Sequence, residues 1–215
     1  MKKIILSVAA ICMMAVSTVS AQDFTYGVKV GLNLANLSGY ETGDDEKNKS
    51  RLGFAVGVTG EYSLSDKMSV SAELLYSAQG DKITYEDSGD IDGYSYSEEG
   101  KEKYNLSYLN IPILYGYKVM DKLTVKAGIQ LGFLLSAKNV EKYECTFDGE
   151  TEKYDEEYDI KSGCNSIDFA IPVGVAYDLT EKIAVDLRYN IGMSSIYDGY
   201  TSKNNVLQLS VGYKF

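Results

Sequence analysis

Phe24-Thr25-Tyr26-Gly27-Val28-Lys29-Val30-Gly31-Leu32-Asn33-Leu34-Ala35 puts a large apolar or aromatic side chain at every second position. Small, polar or charged residues fill the places between. Side chains of an extended chain point alternately to opposite faces, so this stretch predicts a strand with one greasy face and one polar face. Leu52, Phe54, Val56, Val58 and Tyr62 repeat the pattern against Gly53, Ala55, Gly57, Thr59 and Glu61. Six further alternating runs follow, at about 68–79, 104–119, 123–135, 167–179, 183–194 and 205–215. Each is near the length with which a strand crosses a bilayer, and eight is the smallest even number that closes a membrane barrel. The expected fold is all-β, an eight-stranded antiparallel up-and-down transmembrane β-barrel.

The connections point the same way. Ser65-Asp66-Lys67, Met120-Asp121-Lys122 and Thr180-Glu181-Lys182 predict tight turns. The polar stretches at about 37–50, 80–103 and 136–166, with a shorter one near 196–204, predict long loops at the other end. Such asymmetry describes an outer-membrane barrel with periplasmic turns and extracellular loops. An internal repeat has the same hairpin grammar. Ile111-Pro112-Ile113 through Asp121-Lys122-Leu123 matches Ile171-Pro172-Val173 through Glu181-Lys182-Ile183 at an offset of 60 residues, and Tyr62 with Asp66-Lys67-Met68 starts a third copy.

The chain has 215 residues, 45% hydrophobic, with 19 Tyr, 20 Gly, 3 Cys and no His or Trp. Without His there is no Ser-His-Asp or Cys-His catalysis and no His-ligated zinc. The net charge of −10 speaks against nucleic acid. No catalytic, cofactor-binding or metal site is expected, and a scaffold or binder is favoured over an enzyme. Residues 1–21 read as a signal peptide, with Lys2-Lys3 before the apolar run Ile4–Val16 and small residues Val19-Ser20-Ala21 at the cleavage site. Ile11 before Cys12 does not fit a lipoprotein box. Residues 22–215 form the expected barrel domain, carrying net −12 once the two lysines are gone.

Charges facing lipid are costly, so Lys29, Glu61, Glu73, Lys126, Asp168, Asp186 and Arg188 are expected to point into the lumen and fill it as pairs. Two aromatic girdles are expected: Phe24, Tyr26, Tyr62, Tyr115, Tyr117, Tyr177 and Tyr213 at the turn side, and Tyr76, Tyr104, Tyr108, Phe133 and Phe169 at the loop side. Pro112 and Pro172 each remove a ladder donor. The apolar phase slips between Tyr108 and Leu109, which predicts a bulge there.

Cys145 and Cys164, with 18 residues between them in the third loop, are candidates for a disulfide, worth roughly 3 kcal/mol by the chain-entropy argument. Free thiols or an intermolecular bond are the alternatives. The acidic runs Glu86–Gly93 and Phe147–Asp159 lack calcium-loop spacing and read as solvated surface rather than a metal site. Their Tyr-acid alternation suits strand extensions above the membrane or a partner surface. Leu209, Val211, Tyr213 and Phe215 resemble the C-terminal signal read by the outer-membrane insertion machinery.

The Gly27–Gly39 segment after the cleavage site, Asn110-Ile111-Pro112-Ile113 and the ending Gly212-Tyr213-Lys214-Phe215 together resemble the PorT-like outer-membrane β-barrel family. The resemblance implies an eight-stranded barrel in a Gram-negative outer membrane, in contact with lipids and lipopolysaccharide. One branch of the family is tied to protein secretion. The functional expectation is a non-enzymatic surface-structural or partner-binding barrel. The alternatives are a secretion accessory docking on envelope proteins, a narrow porin, or a soluble lipocalin-like barrel.

Overall fold

A computed structural model describes residues 24–39, 46–91, 94–148, 150–197, 199 and 201–215. The expected signal peptide, its cleavage site and Cys12 lie outside the described residues. Among the described residues nine strands follow one another: β1 (Phe24–Ser38), β2 (Glu46–Ser63), β3 (Met68–Ile91), β4 (Tyr94–Met120), β5 (Leu123–Phe147), β6 (Glu150–Asp159), β7 (Ile167–Asp178), β8 (Ile183–Gly192) and β9 (Lys203–Lys214). All pairings are antiparallel between neighbours. Eight strands close a ring, β1-β2-β3-β4-β5-β7-β8-β9, sealed where Gly27 of β1 faces Lys214 of β9 and Ser38 faces Lys203. The ninth, β6, lies outside the ring as a hairpin partner of the outer part of β5.

The turns explain part of the repeat. The Ser65 hydroxyl accepts the N–H groups of Lys67 (3.4 Å) and Met68 (3.2 Å), and the Thr180 hydroxyl accepts those of Lys182 (3.2 Å) and Ile183 (3.0 Å). A short hydroxyl side chain at the first turn position stands in for a backbone acceptor. The prolines explain another part. The β3–β4 ladder runs to Ala72↔Ile113 and resumes at Leu75↔Asn110, skipping Pro112, and the β5–β7 ladder skips Pro172 between Ala127↔Val173 and Gln130↔Ala170. Each proline lacks the N–H that its neighbour needs.

Which face is dry decides the class. On β1, Val28, Val30, Leu32 and Leu34 point outward, with Val30 at 58% and Leu32 at 56% exposed, while Lys29, Asn33 and Ala35 are buried inside. Phe54, Val56, Leu131, Leu187, Leu209 and Val211 continue the apolar belt around the ring. Water does not tolerate a continuous apolar belt of this extent, whereas hydrocarbon does. A lipocalin-like barrel would have the faces reversed.

Three expectations need correction. The stretches 80–103 and 136–166 are for the most part not loops: β3, β4 and β5 run on past the barrel wall as paired strands, and β6 joins them. The bulge is real but belongs to β5. Ser107 pairs with Ser136 and Tyr108 with Leu134, leaving Leu135 as the extra residue. On β4, Leu106, Tyr108, Asn110 and Pro112 keep one phase and all face inward. Consequently Tyr108, fully buried, and Tyr104, packed beside it, are lumen residues rather than members of the outer girdle. The turn-side girdle stands outward, with Phe215 stacked on Tyr26 at 5.4 Å and edge-on to Tyr213 at 5.4 Å.

Candidate functional site

The lumen is layered. At the turn end it opens as a cavity of about 460 Å³ lined by Glu61, Lys67, Lys118, Lys126, Asp178 and Lys214 among others. Lys126 meets Glu61 at 3.3 Å and Lys214 meets Asp178 at 2.9 Å. Deeper lies a buried ion cluster. The Arg188 guanidinium donates to both Glu73 oxygens, at 3.0 and 2.9 Å, and approaches Asp186 at 3.2 Å. Lys29 donates to Glu73 at 2.6 Å and lies 3.8 Å from Asp186. Two cations and two carboxylates thus balance one another inside the barrel; Arg188 is 1% exposed. Three strands supply them because their inward positions fall at the same level of the wall: Lys29 on β1, Glu73 on β3, Asp186 and Arg188 on β8.

The seven charges named from the sequence therefore fall into three groups. Lys29, Glu73, Asp186 and Arg188 form the central cluster; Glu61 and Lys126 form a separate pair at the turn-side mouth. Asp168 stands apart, accepting from the Ser194 hydroxyl at 2.6 Å, and that hydroxyl in turn accepts the Phe169 N–H at 2.8 Å. Above the cluster comes an amide layer. Asn33 donates to the Ser77 hydroxyl (2.9 Å) and the Ala78 carbonyl (3.0 Å), and Asn204 reaches Gln79.

The outer mouth is closed by an apolar cluster that sequence reasoning missed: Leu37, Leu106, Tyr108, Leu134, Ala137, Cys164 and Ile196, with Tyr104, Ile160 and Tyr197 packed on it. The signal was the phase slip after Tyr108, which marks large apolar residues turning inward rather than a kink in β4. Burial raises the Tyr197 hydroxyl to about 12 and pushes the Cys164 thiol above its ordinary range, with the Asp159 carboxylate adding to the latter.

The expected disulfide does not form; Cys145 and Cys164 are both free. Lys138 pairs with Asp159 near the barrel rim, and Cys145 pairs with Glu152 seven residues farther up β5, a climb of about 24 Å. From Asp159 the chain turns back at the rim, where the Ile160 N–H donates to the Ala137 carbonyl and Cys164 bridges to Tyr197. A disulfide needs Cα atoms within about 7 Å.

Beyond the plug stands the outer sheet, β3-β4-β5-β6, with Tyr94 stacked on Phe147 near its tip at 5.8 Å. A ring of eight strands, a lipid-facing apolar belt and a filled lumen are the features of an outer-membrane barrel. The profile of a family described as outer membrane protein beta-barrel domain matches residues 20–198. The chain belongs to this family. Its setting is the Gram-negative outer membrane. Among solved structures, it is similar to Ail, the attachment invasion locus protein of Yersinia pestis, at 13% identity over 90% of this chain and 99% of that one, with a TM-score of 0.44. It is also similar to neisserial surface protein A (13% identity, 88% and 97%, TM-score 0.42) and to OprG of Pseudomonas aeruginosa (14%, 90% and 95%, 0.37). No curated protein sequence matches it.

Proposed function

We propose that this barrel is a non-enzymatic surface protein, exported by the signal peptide at 1–21, whose wall anchors an outer sheet for binding a partner. The observation that carries the reading is the continuation of β3, β4 and β5 as a paired sheet beyond a mouth filled by the Leu106–Tyr108 cluster. A filled lumen does not favour the narrow-porin alternative, since a conducting path needs a wet one. The C-terminal residues Leu209, Val211, Tyr213 and Phe215 serve insertion in this reading: the first three lie on the outward face of β9, and Phe215 covers Tyr26 at the seam. The second reading, an accessory of a secretion apparatus, comes from the resemblance to the PorT-like family and from no residue that marks its secretion branch; such an accessory would co-purify with other envelope subunits.

The test compares the full chain with one in which residues 83–101 and 141–157 are each replaced by a short turn. Both chains should show heat-modifiable migration from the outer membrane, and only the full chain should form surface crosslinks on intact cells. The reading is overturned if the trimmed chain gives the same crosslinks, or if the full chain conducts ions in planar bilayers.

A further inference from the structure

The outer sheet has two chemically different faces. Directly paired residues of antiparallel strands share a face, so the register sorts the side chains into rungs. On one face, Tyr85, Gly100, Tyr143 and Tyr154 form a single rung across β3, β4, β5 and β6. The Tyr85 ring lies across Gly100, where a Cβ would come within 1.9 Å of the ring, and the Tyr143 ring stands 6.4 Å from Tyr85 and 6.3 Å from Tyr154. One flanking rung carries Asp87, Glu98, Cys145 and Glu152; the other carries Ile83, Glu102, Glu141 and Glu156. An aromatic row thus runs between two rows of carboxylates about 14 Å apart.

The opposite face is arranged differently. There Lys101 pairs with Glu99, Lys142 with Asp155, Lys153 with Glu144 at 2.8 Å, and Lys138 with Glu157 at 2.5 Å. Among the described residues, every one of the sheet's ion pairs lies on that side, and none reaches Asp87, Glu98, Glu102, Glu141, Glu152 or Glu156. Most of these carboxylates instead accept from tyrosines, Tyr96 to Asp87 at 3.2 Å, Tyr154 to Glu152 at 2.8 Å and Tyr104 to Glu102 at 3.1 Å, while Glu141 accepts from the Asn139 amide at 2.6 Å. Glu102, Glu141 and Glu156 stand directly opposite one another along their rung, as do Asp87 and Glu98. Like charges so aligned are unfavourable. A sheet that balances its charges on one face and aligns like charges around tyrosines on the other is complementary to a cation supplied from outside.

We propose that the tyrosine-bearing face of the outer sheet docks a cationic, extended polypeptide segment. Arginine or lysine side chains of the segment lie over the Tyr85, Tyr143 and Tyr154 rings, which attract cations through their faces. Their charged ends meet the carboxylates on either side. The unpaired outer edge of β6, with six acids and one lysine among its ten residues, extends the same negative field. The inference rests on the partner-binding reading above and names the chemistry of the partner.

The test uses the full chain folded in uncharged detergent micelles and a fluorescent ten-residue peptide of alternating Arg and Ser, with an alternating Glu and Ser peptide as control. Anisotropy should show binding of the first peptide only. Glu98→Gln with Glu152→Gln should raise its Kd at least tenfold. Glu144→Gln with Asp155→Asn, which removes the same charge from the opposite face, should change it less than threefold. On the unsubstituted protein, whose Cys145 lies on the docking face, bound peptide should slow alkylation of that thiol. Equal losses from the two double variants, no binding, or protection of Cys145 by calcium chloride at the same ionic strength would each overturn the proposal. If cells still crosslink a partner through the outer sheet while the cationic peptide neither binds nor competes, this inference fails and the partner-binding reading stands. If trimming the sheet changes neither assay, both fail.

Discussion

Glu73 lies in the gap that Pro112 leaves in the β3–β4 ladder, with Lys29 on one side and Arg188 clamping both of its oxygens. Removing one member of such a buried group strands the others without compensation, at about 3–5 kcal/mol. Glu73→Gln should therefore lose stability on that scale in urea unfolding from lipid vesicles. Glu61→Gln should lose under about 1 kcal/mol, because its pair with Lys126 lies at the partly wet mouth. The lipid face gives a second contrast. Val56→Lys or Leu131→Lys puts a charge into hydrocarbon, at about 2–4 kcal/mol near the midplane. Thr59→Lys enters the small lumen space beside Glu61 and Glu73 and should cost less than half as much. Gly57 is unsuitable as a lumen control. A Cβ there would meet the Leu74 carbonyl oxygen at 1.9 Å, so any larger residue pushes β2 and β3 apart.

At the scale of elements, the two cysteines report where strand ends and rim begins. Cys145 sits on the half-exposed outer part of β5, whereas Cys164 is buried under Tyr197 with its thiol donating to the Ile160 carbonyl at 3.3 Å. A thiol reagent should modify Cys145 in the folded protein and Cys164 only after unfolding. Burial favours the neutral Cys164 thiol in the fold. Its stabilising contribution is therefore complete below the ordinary value of 9.0 and fades as the pH rises past it, so modification of Cys164 should quicken above pH 9. The seam between β1 and β9 is the other element under test. Removing Phe215 strips the ring that stacks on Tyr26 and should lower the amount of folded barrel in the outer membrane; unchanged levels would mean that the last strand is recognised without it.

For the whole molecule, strand parity was legible along β1, β2, β7, β8 and β9, because a period of two is a local property that one face of lipid and one face of lumen impose directly. The inward placement of Lys29, Glu73, Asp186 and Arg188 followed from the same parity. Their union into one cluster did not, since residues 29, 73 and 186 meet only when the ring closes and sets the stagger of the three strands that carry them. Polarity misled in the outer stretches. Segments rich in Glu, Lys and Tyr resemble loops, yet cross-strand partners such as Lys142 with Asp155 and Tyr143 with Tyr154 hold them as a sheet. The amino-acid sequence by itself determined the barrel class, the face turned to lipid and the turn-side hairpins, all of which depend on near neighbours along the chain. Only the tertiary structure decided the central ion cluster, the Leu106–Tyr108 plug, the separation of the cysteines and the two unlike faces of the outer sheet. Each of these depends on the register between strands, which places residues far apart in the chain at the same height.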